Sequence, residues 1–315
     1  MKQEFLIGVD IGGTKIASGL VDQVTGELIT QLQYETPKTG NDSILSCVGS
    51  SIQKLLEQTE KLVSGIGIGI AGSVNRAEGI ALSAGNLNFR KMPVSEYIWN
   101  RFQLQSFLEN DTNAGTLGEK WFGQGKGLRD FVYIALGTGI GGGLVFDGKL
   151  YVGKGHAGEI GHMIVDPGGG ACVCGLSGCI ESLASGTAIA RQALERLQKG
   201  EPSSLQELFK LRQPVTAKEV FNAAELGDSL ALEVVEGAGH YLACTLTTLI
   251  NLLDPEVIIF SGSVSRSRKL LLESILQAAP FPRMREYFTQ VLRFSQWTTG
   301  IIGAASVVLD RRSME

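Results

Sequence analysis

Short apolar runs separated by turn-forming residues dominate the first 70 positions, and that pattern predicts a strand-rich start. Phe5 to Val9 is a continuous apolar run, as a buried strand requires. Asp10-Ile11-Gly12-Gly13-Thr14-Lys15 breaks it as a turn, Ile16 to Val21 returns as a second strand, and Glu27 to Tyr34 gives a third. Ile44, Leu45, Val48, Ile52, Leu55 and Leu56 then recur at helical spacing, with Asn41, Asp42 or Ser43 as the cap. From Gly65 to Ile70, glycine and isoleucine alternate with period 2, the mark of another strand. The order is strand, strand, strand, helix, strand.

Parts of that order return later in the chain. Phe131 to Leu136 reads as a strand, Gly137 to Gly143 as a turn, and Leu144 to Phe146 as a second strand. The two strand–turn–strand units end alike, Gly19-Leu20-Val21-Asp22 against Gly143-Leu144-Val145-Phe146-Asp147. Further on, Val257 to Phe260 runs into Ser261-Gly262-Ser263-Val264, echoing Ala71-Gly72-Ser73-Val74. Two such halves predict a duplicated α/β architecture with a cleft between them. The expected division is 1-115 plus 300-315 for a smaller α/β domain and 116-299 for a larger one. An insertion over roughly 153–213 belongs to the second half alone. Gly237 to Leu253 predicts a buried helix and Ile301 to Leu309 a closing one.

Composition changes this picture at one point. Apolar residues make up 43% of the 315 and charged residues 19%, as in ordinary globular chains, but there are 41 glycines. Nineteen of them fall between Gly123 and Gly186, so a site where backbone approaches a ligand is expected there. A net charge of −4 without a basic patch argues against a nucleic-acid partner. No apolar stretch approaches the ~18 residues of a membrane span, so a cytoplasmic protein without a membrane partner is expected. Five cysteines, three of them within Cys172 to Cys179, do not form a disulfide framework.

Four constellations carry chemistry. Gly12 and Gly13 in a tight turn let backbone N–H groups face phosphate oxygens, Thr14 and Lys15 add a hydroxyl and a charge, and Asp10 is placed to hold Mg²⁺. A plain hairpin turn with an exposed lysine is the alternative. The second turn, Gly137-Thr138-Gly139-Ile140-Gly141-Gly142-Gly143, has five glycines where two would suffice. That excess predicts crowding by something other than protein, and the pair of turns suggests a clamp on one polyphosphate. Neither turn leads from a strand into a helix, which disfavours a dinucleotide fingerprint. Asn110-Asp111-Thr112-Asn113-Ala114 stands at a strand end, where Asp111 suits late acceptance of a hydroxyl proton, or else simply caps a helix. Finally, His162 with Cys172, Cys174 and Cys179 matches a closed tetrahedral zinc site, with reduced structural thiols as the alternative. Glu159 and Glu181 flank that loop and are acceptors suited to sugar hydroxyls. His240 is expected to be a core histidine, and Cys47 and Cys244 small hydrophobes on apolar helical faces.

At these residues the chain resembles the ROK family of sugar kinases and repressors over essentially its whole length. The likeness covers Asp10 to Lys15, Asn86-Leu87, Asn110 to Ala114, Gly137 to Gly143, Glu159 to His162, the three cysteines, Glu181, and Ser185 to Arg191. It implies an actin-like ATPase fold of the hexokinase, RNase H-like type, with ATP and sugar meeting between two domains. By the same resemblance Asp111 is the general base toward a sugar 6-hydroxyl, and Asn86, Asn110, Glu159, His162 and Glu181 hold the sugar. His162 is at the same time a ligand of a structural Zn²⁺. Asp10, Thr14 and Thr138 serve Mg²⁺ and phosphate beside Gly12, Gly13, Lys15, Gly137 and Gly139, with Gly262 on the adenosine side. Ser261 and Ser263 flank Gly262 where the family often has a Gly-Gly pair, a departure on the adenosine side. Glu159-Ile-Gly-His162 and Ser185-Gly-Thr-Ala-Ile-Ala-Arg191 are similar to the bacterial glucokinases, which implies glucose as acceptor. Mannose, fructose, N-acetylmannosamine and N-acetylglucosamine are the alternatives within the class, and a non-catalytic sugar-sensing regulator the alternative outside it. The family's repressors carry an N-terminal helix-turn-helix, for which a strand beginning by Phe5 leaves no room. The family also suggests a homodimer or homotetramer.

Overall fold

A computed structural model describes residues 4–85, 87–296 and 300–313. The chain divides into two compact units, one of residues 1–128, 144–157 and 296–315, the other of residues 129–143 and 158–295.

In the first unit β1 (Phe5–Ile11), β2 (Lys15–Asp22) and β3 (Leu28–Glu35) form an antiparallel meander, followed by helix α1 (Gly40–Glu57) and β4 (Val63–Ile70). A small antiparallel sheet, β5 (Ser73–Asn75), β6 (Ile80–Ser83) and β7 (Arg90–Pro93), leads to α2 (Val94–Phe102), β8 (Ser106–Asn110) and α3 (Asp111–Phe122). The main sheet runs β3-β2-β1-β4-β8, with β4 parallel to both β1 and β8. Ile66, Ile68 and Ile70 of β4, fully buried with Ile7, Val9 and Ile11, enter the core with the apolar face of α1.

The alternating glycines of β4 face the other way, and the reason is a helix. A Cβ at Gly67 would overlap the Ala304 carbonyl, and one at Gly8 the Ile301 carbonyl, so the chain's last helix (Gly300–Arg312) lies with its backbone almost on the sheet. The same helix crosses α3 through small residues: a Cβ at Gly303 would stand 2.7 Å from the Ala114 carbonyl oxygen. The crossing is fastened by an ion pair, Lys120 Nζ to Asp310 Oδ1 at 2.5 Å, with Asp310 fully buried. Breaking one half of such a pair leaves an uncompensated buried charge, which costs more than the pair itself gains.

The second sheet is built from β9 (Phe131–Leu136), β10 (Ile140–Phe146), β11 (Lys149–Tyr151), β12 (Val257–Ser261) and β13 (Leu292–Phe294), in the order β11-β10-β9-β12-β13. β10 itself passes from the second unit into the first after Gly143. Matched strand for strand, this order repeats β3-β2-β1-β4-β8, and the parallel pairs fall at the same places. The expected duplication is therefore present in the topology. Between β11 and β12 come α4 (Ile180–Ala184), α5 (Gly186–Gln198), α6 (Gln206–Lys210), α7 (Ala217–Glu225) and the long α8 (Ser229–Leu253). After β12 come α9 (Arg268–Gln277) and α10 (Pro282–Val291), then β13, and the chain closes with the helix on the first sheet, α11.

Two expectations for α8 fail. Leu242, Ala243, Leu246 and Leu249 are buried as a core helix requires, but His240 and Cys244 lie on its outer face and are exposed. Their surroundings in sequence are apolar, but four-residue spacing puts both on the one stripe that does not face the core. Cys47, by contrast, packs against the first core. Among the described residues, no helix is long and apolar enough to cross a membrane.

Candidate active site

The first turn is drawn tight by its own backbone, Gly12 N–H donating to the Lys15 carbonyl at 2.9 Å. A second restraint comes from a residue the sequence did not single out. Thr36, just past β3, donates its hydroxyl to the Gly12 carbonyl at 2.6 Å and its backbone N–H to the Thr14 carbonyl at 3.1 Å. Thr36 is buried, while Thr14 and Lys15 are exposed. Two carbonyls of the turn are thereby fastened to the strand beside it. The antiparallel register, Lys15 opposite Glu35, was the available signal: it sets Thr36 beside Thr14.

Asp10 precedes this turn and is half-buried. Burial, reinforced by the nearby Asp111 carboxylate and opposed by Lys15, pushes its carboxyl up to about 6. Asp111 begins α3 behind Asn110, whose side-chain oxygen accepts the N–H groups of Thr112 at 3.0 Å and Asn113 at 3.2 Å. Of the residues in this segment, Asn110 is the helix cap, and Asp111 is the first residue of the helix. Asn110 also donates Nδ2 to the Gly72 carbonyl at 3.2 Å, and among the described residues its other amide N–H has no partner. α3 lies close on β4 at Gly69, where a Cβ would stand 3.7 Å from Asp111 Cα and 3.3 Å from Ala114 Cβ. Asp111 remains open to solvent, yet protein surrounds enough of it that desolvation raises its carboxyl above the usual range, opposed by the Thr112 N–H at 2.9 Å.

Behind the cap stands Glu109, 1% exposed. It pairs with Arg76 Nε at 2.5 Å and accepts Asn110 N–H at 3.0 Å and Asn113 Nδ2 at 3.2 Å. Burial raises its carboxyl, with Arg76 as the chief opposing influence. Asn86 lies outside the described residues.

In the other unit the second turn is shorter than expected, because β10 already begins at Ile140. The expectation that its glycines are crowded by something other than protein is also corrected at two positions. A Cβ at Gly139 would overlap the Glu181 carboxylate, and one at Gly142 would meet the Gly158 carbonyl and Ile160. At Gly137 the nearest atom to a Cβ is Ser263 Oγ at 3.8 Å, so that position stays open. Thr138 is exposed. Gly262 adopts φ +95°, and a Cβ there would overlap the Leu136 carbonyl, so no other residue fits without strain.

The cysteine loop has the dimensions of a metal site. One ligand atom from each of His162, Cys172, Cys174 and Cys179 lies within 4.8 Å of every other. Cys174 Sγ stands 3.6 Å from Cys179 Sγ, and Cys172 Sγ 3.6 Å from His162 Nδ1. A tetrahedron with ~2.3 Å metal–sulfur bonds has edges of about 3.8 Å, and three thiolates with an imidazole are the donors zinc favours. Burial pushes the Cys179 thiol up to about 12, so without a cation this sulfur stays protonated, whereas the Leu176 N–H pulls Cys174 down. Nδ1 is the ring nitrogen that faces Cys172 Sγ. Glu159 is exposed immediately before the short turn containing His162, and Glu181 is half-buried in α4.

A duplicated five-stranded sheet with a glycine turn after each first strand defines the actin-like ATPase fold. The ROK family's sequence model matches residues 6–311, so the chain belongs to the ROK family. It is 36% identical to a glucokinase of Halalkalibacterium halodurans over 325 residues, spanning 100% of this chain and 98% of that protein. Among solved structures, a ROK family glucokinase from Streptomyces griseus in complex with glucose and AMPPNP is 33% identical with a TM-score of 0.81, over 98% of this chain and 99% of that one. A ROK family transcriptional regulator, a homologue of the E. coli MLC protein, is 28% identical with a TM-score of 0.86, over 97% of this chain and 78% of that one.

Proposed function

We propose that this protein is an ATP-dependent glucokinase that transfers the γ-phosphoryl group of ATP to the 6-hydroxyl of glucose, yielding glucose 6-phosphate. The observation that carries the reading is full-length similarity to glucokinases, joined to a chain that keeps Asp111 at a capped helix start beside Asp10. Phosphoryl transfer asks the protein chiefly for positioning and charge stabilisation. Asp111 accepts the hydroxyl proton as the new P–O bond forms, and its raised pKa makes it the better acceptor. The cap at Asn110 and the Arg76–Glu109 pair behind it keep that carboxylate in place.

Asp10 would hold Mg²⁺, directly or through water, and its repulsion from Asp111 fits a neighbouring cation. Mg²⁺ supplies charge neutralisation on the phosphates. The two turns receive the phosphates of ATP; Asn86, Asn110, Glu159, His162 and Glu181 receive the sugar hydroxyls. His162, Cys172, Cys174 and Cys179 would hold Zn²⁺, and four protein ligands leave no open position, so its part is structural. An enzyme of this kind works in the cytoplasm, where ATP is supplied.

A coupled assay of ADP release across a hexose panel tests the reading. Glucose should give the highest kcat/KM, and Asp111→Ala should lower kcat about 10²–10⁴-fold or more while glucose binding stays measurable by calorimetry. Absence of ADP release with every hexose overturns the kinase. A preference for mannose or an N-acetylhexosamine overturns glucose alone.

A further inference from the structure

We propose that Glu181 is a positioning residue that couples the sugar loop to the second phosphate turn. The idea rests on the glucokinase reading for the identity of the sugar, but the brace itself is a matter of geometry within one unit. Glu181 is the second residue of α4, two positions after Cys179. Its Oε2 accepts the backbone N–H of Ile140 at 2.8 Å, and no residue other than glycine at 139 leaves that oxygen its place. The segment continues the contact: Gly186 N–H donates to the Gly137 carbonyl at 2.8 Å and Thr187 N–H to the Thr138 carbonyl at 3.3 Å. Three backbone groups of one short turn are therefore fixed by residues 181–187.

A carboxylate offers two oxygens, and here they have separate employments. Oε2 holds the turn, and among the described residues Oε1 makes no hydrogen bond. A sugar hydroxyl on Oε1 fixes the rotation of the carboxylate and so holds Oε2 against the Ile140 N–H. Without it the Ile140 bond alone holds that rotation. Sugar binding thereby orders the turn that receives phosphate, and by linkage the nucleotide tightens the sugar by the same factor.

Calorimetric titration with the non-hydrolysable analogue AMPPNP, with and without saturating glucose, decides the matter. In the absence of glucose, Glu181→Ala should weaken AMPPNP binding about tenfold, the loss of a charge-assisted bond. Glu181→Gln, whose amide oxygen still accepts from Ile140, should stay within about threefold of wild type. Wild type should bind AMPPNP about fivefold or more tighter with glucose present, and Glu181→Ala should lose that gain. Zinc content and thermal melting confirm that each variant is folded. Should Glu181→Ala fail to fold, Gly139→Ala, which displaces Oε2 and leaves the carboxylate in the chain, must show the same sugar-free loss. Unchanged sugar-free AMPPNP affinity in the folded variant overturns the brace, whatever happens to glucose affinity. A tenfold sugar-free loss with no effect of glucose on wild type upholds the brace and overturns the coupling to sugar.

Discussion

The two glycine turns join the first and second strands of equivalent sheets, yet the protein holds them by different means. The turn at Gly12–Lys15 is fastened by its neighbour in the same sheet, through the hydroxyl and N–H of Thr36. A Cβ at Gly12 would meet only the Lys15 carbonyl, at 3.2 Å. The turn at Gly137–Ile140 is fastened by a segment some 40 residues further on, and its surroundings are packed against protein at Gly139, Gly142 and Gly262. The acids differ as well. The first turn stands beside two raised carboxylates, Asp10 and Asp111, while the acid beside the second, Glu181, is committed through one oxygen to the backbone. A duplicated hairpin has thus become one turn with the acid chemistry beside it and one turn governed by a distant loop.

The largest expected effect separates the turns by stability. Gly262→Ala places a methyl group against the Leu136 carbonyl at φ +95°, strain on the order of 1–3 kcal/mol before any clash is counted. At roughly 2–4 °C per kcal/mol, scanning calorimetry should show Tm falling by about 5 °C or more. Gly12→Ala should lower Tm by less than about half as much, because the Lys15 carbonyl needs to yield only slightly. Equal losses in the two variants would break the contrast.

A middle-sized effect probes the Thr36 clamp. Thr36→Val keeps the shape and the backbone bond but leaves the Gly12 carbonyl without its hydroxyl partner, a change of about 0.5–1.5 kcal/mol. The KM for ATP should rise about three- to tenfold, with glucose affinity measured by calorimetry unchanged. A variant in which only glucose binding weakens removes Thr36 from the phosphate turn.

A further effect is a pH dependence carried by Asp10. Asp10 is raised from 3.8 to about 6, so the folded protein holds more protons than the unfolded chain between those values. The ionised carboxylate therefore costs stability that grows as pH rises through that window and is constant above it. Asp10→Asn removes the cost. Without added divalent cation, its Tm should exceed that of wild type above pH 6, and the advantage should shrink toward zero as pH falls to about 4. A difference that does not vary with pH rules out a strained carboxylate at Asp10.

Local pattern carried a large part of this protein. The alternation of apolar runs and turns gave the strands, the likeness of Val257–Val264 to the segment ending at Val74 gave the duplication, and ligand type and spacing gave the Cys-x-Cys loop with His162. Periodicity and donor chemistry are properties of neighbouring residues, so they are written in the chain itself. What local pattern misread were two glycines of the second turn and one helix face. The glycines at 139 and 142 serve Glu181 and Gly158, and His240 and Cys244 face outward from α8, just as Gly67 within β4 makes room for the backbone of α11. Each of those depends on which distant segment arrives at the position, and a one-dimensional pattern does not contain that. The Thr36 clamp and the Glu181 brace are of the same kind. They exist only because strand pairing and the packing of α4 and α5 bring together backbone and side chains from separate stretches of sequence.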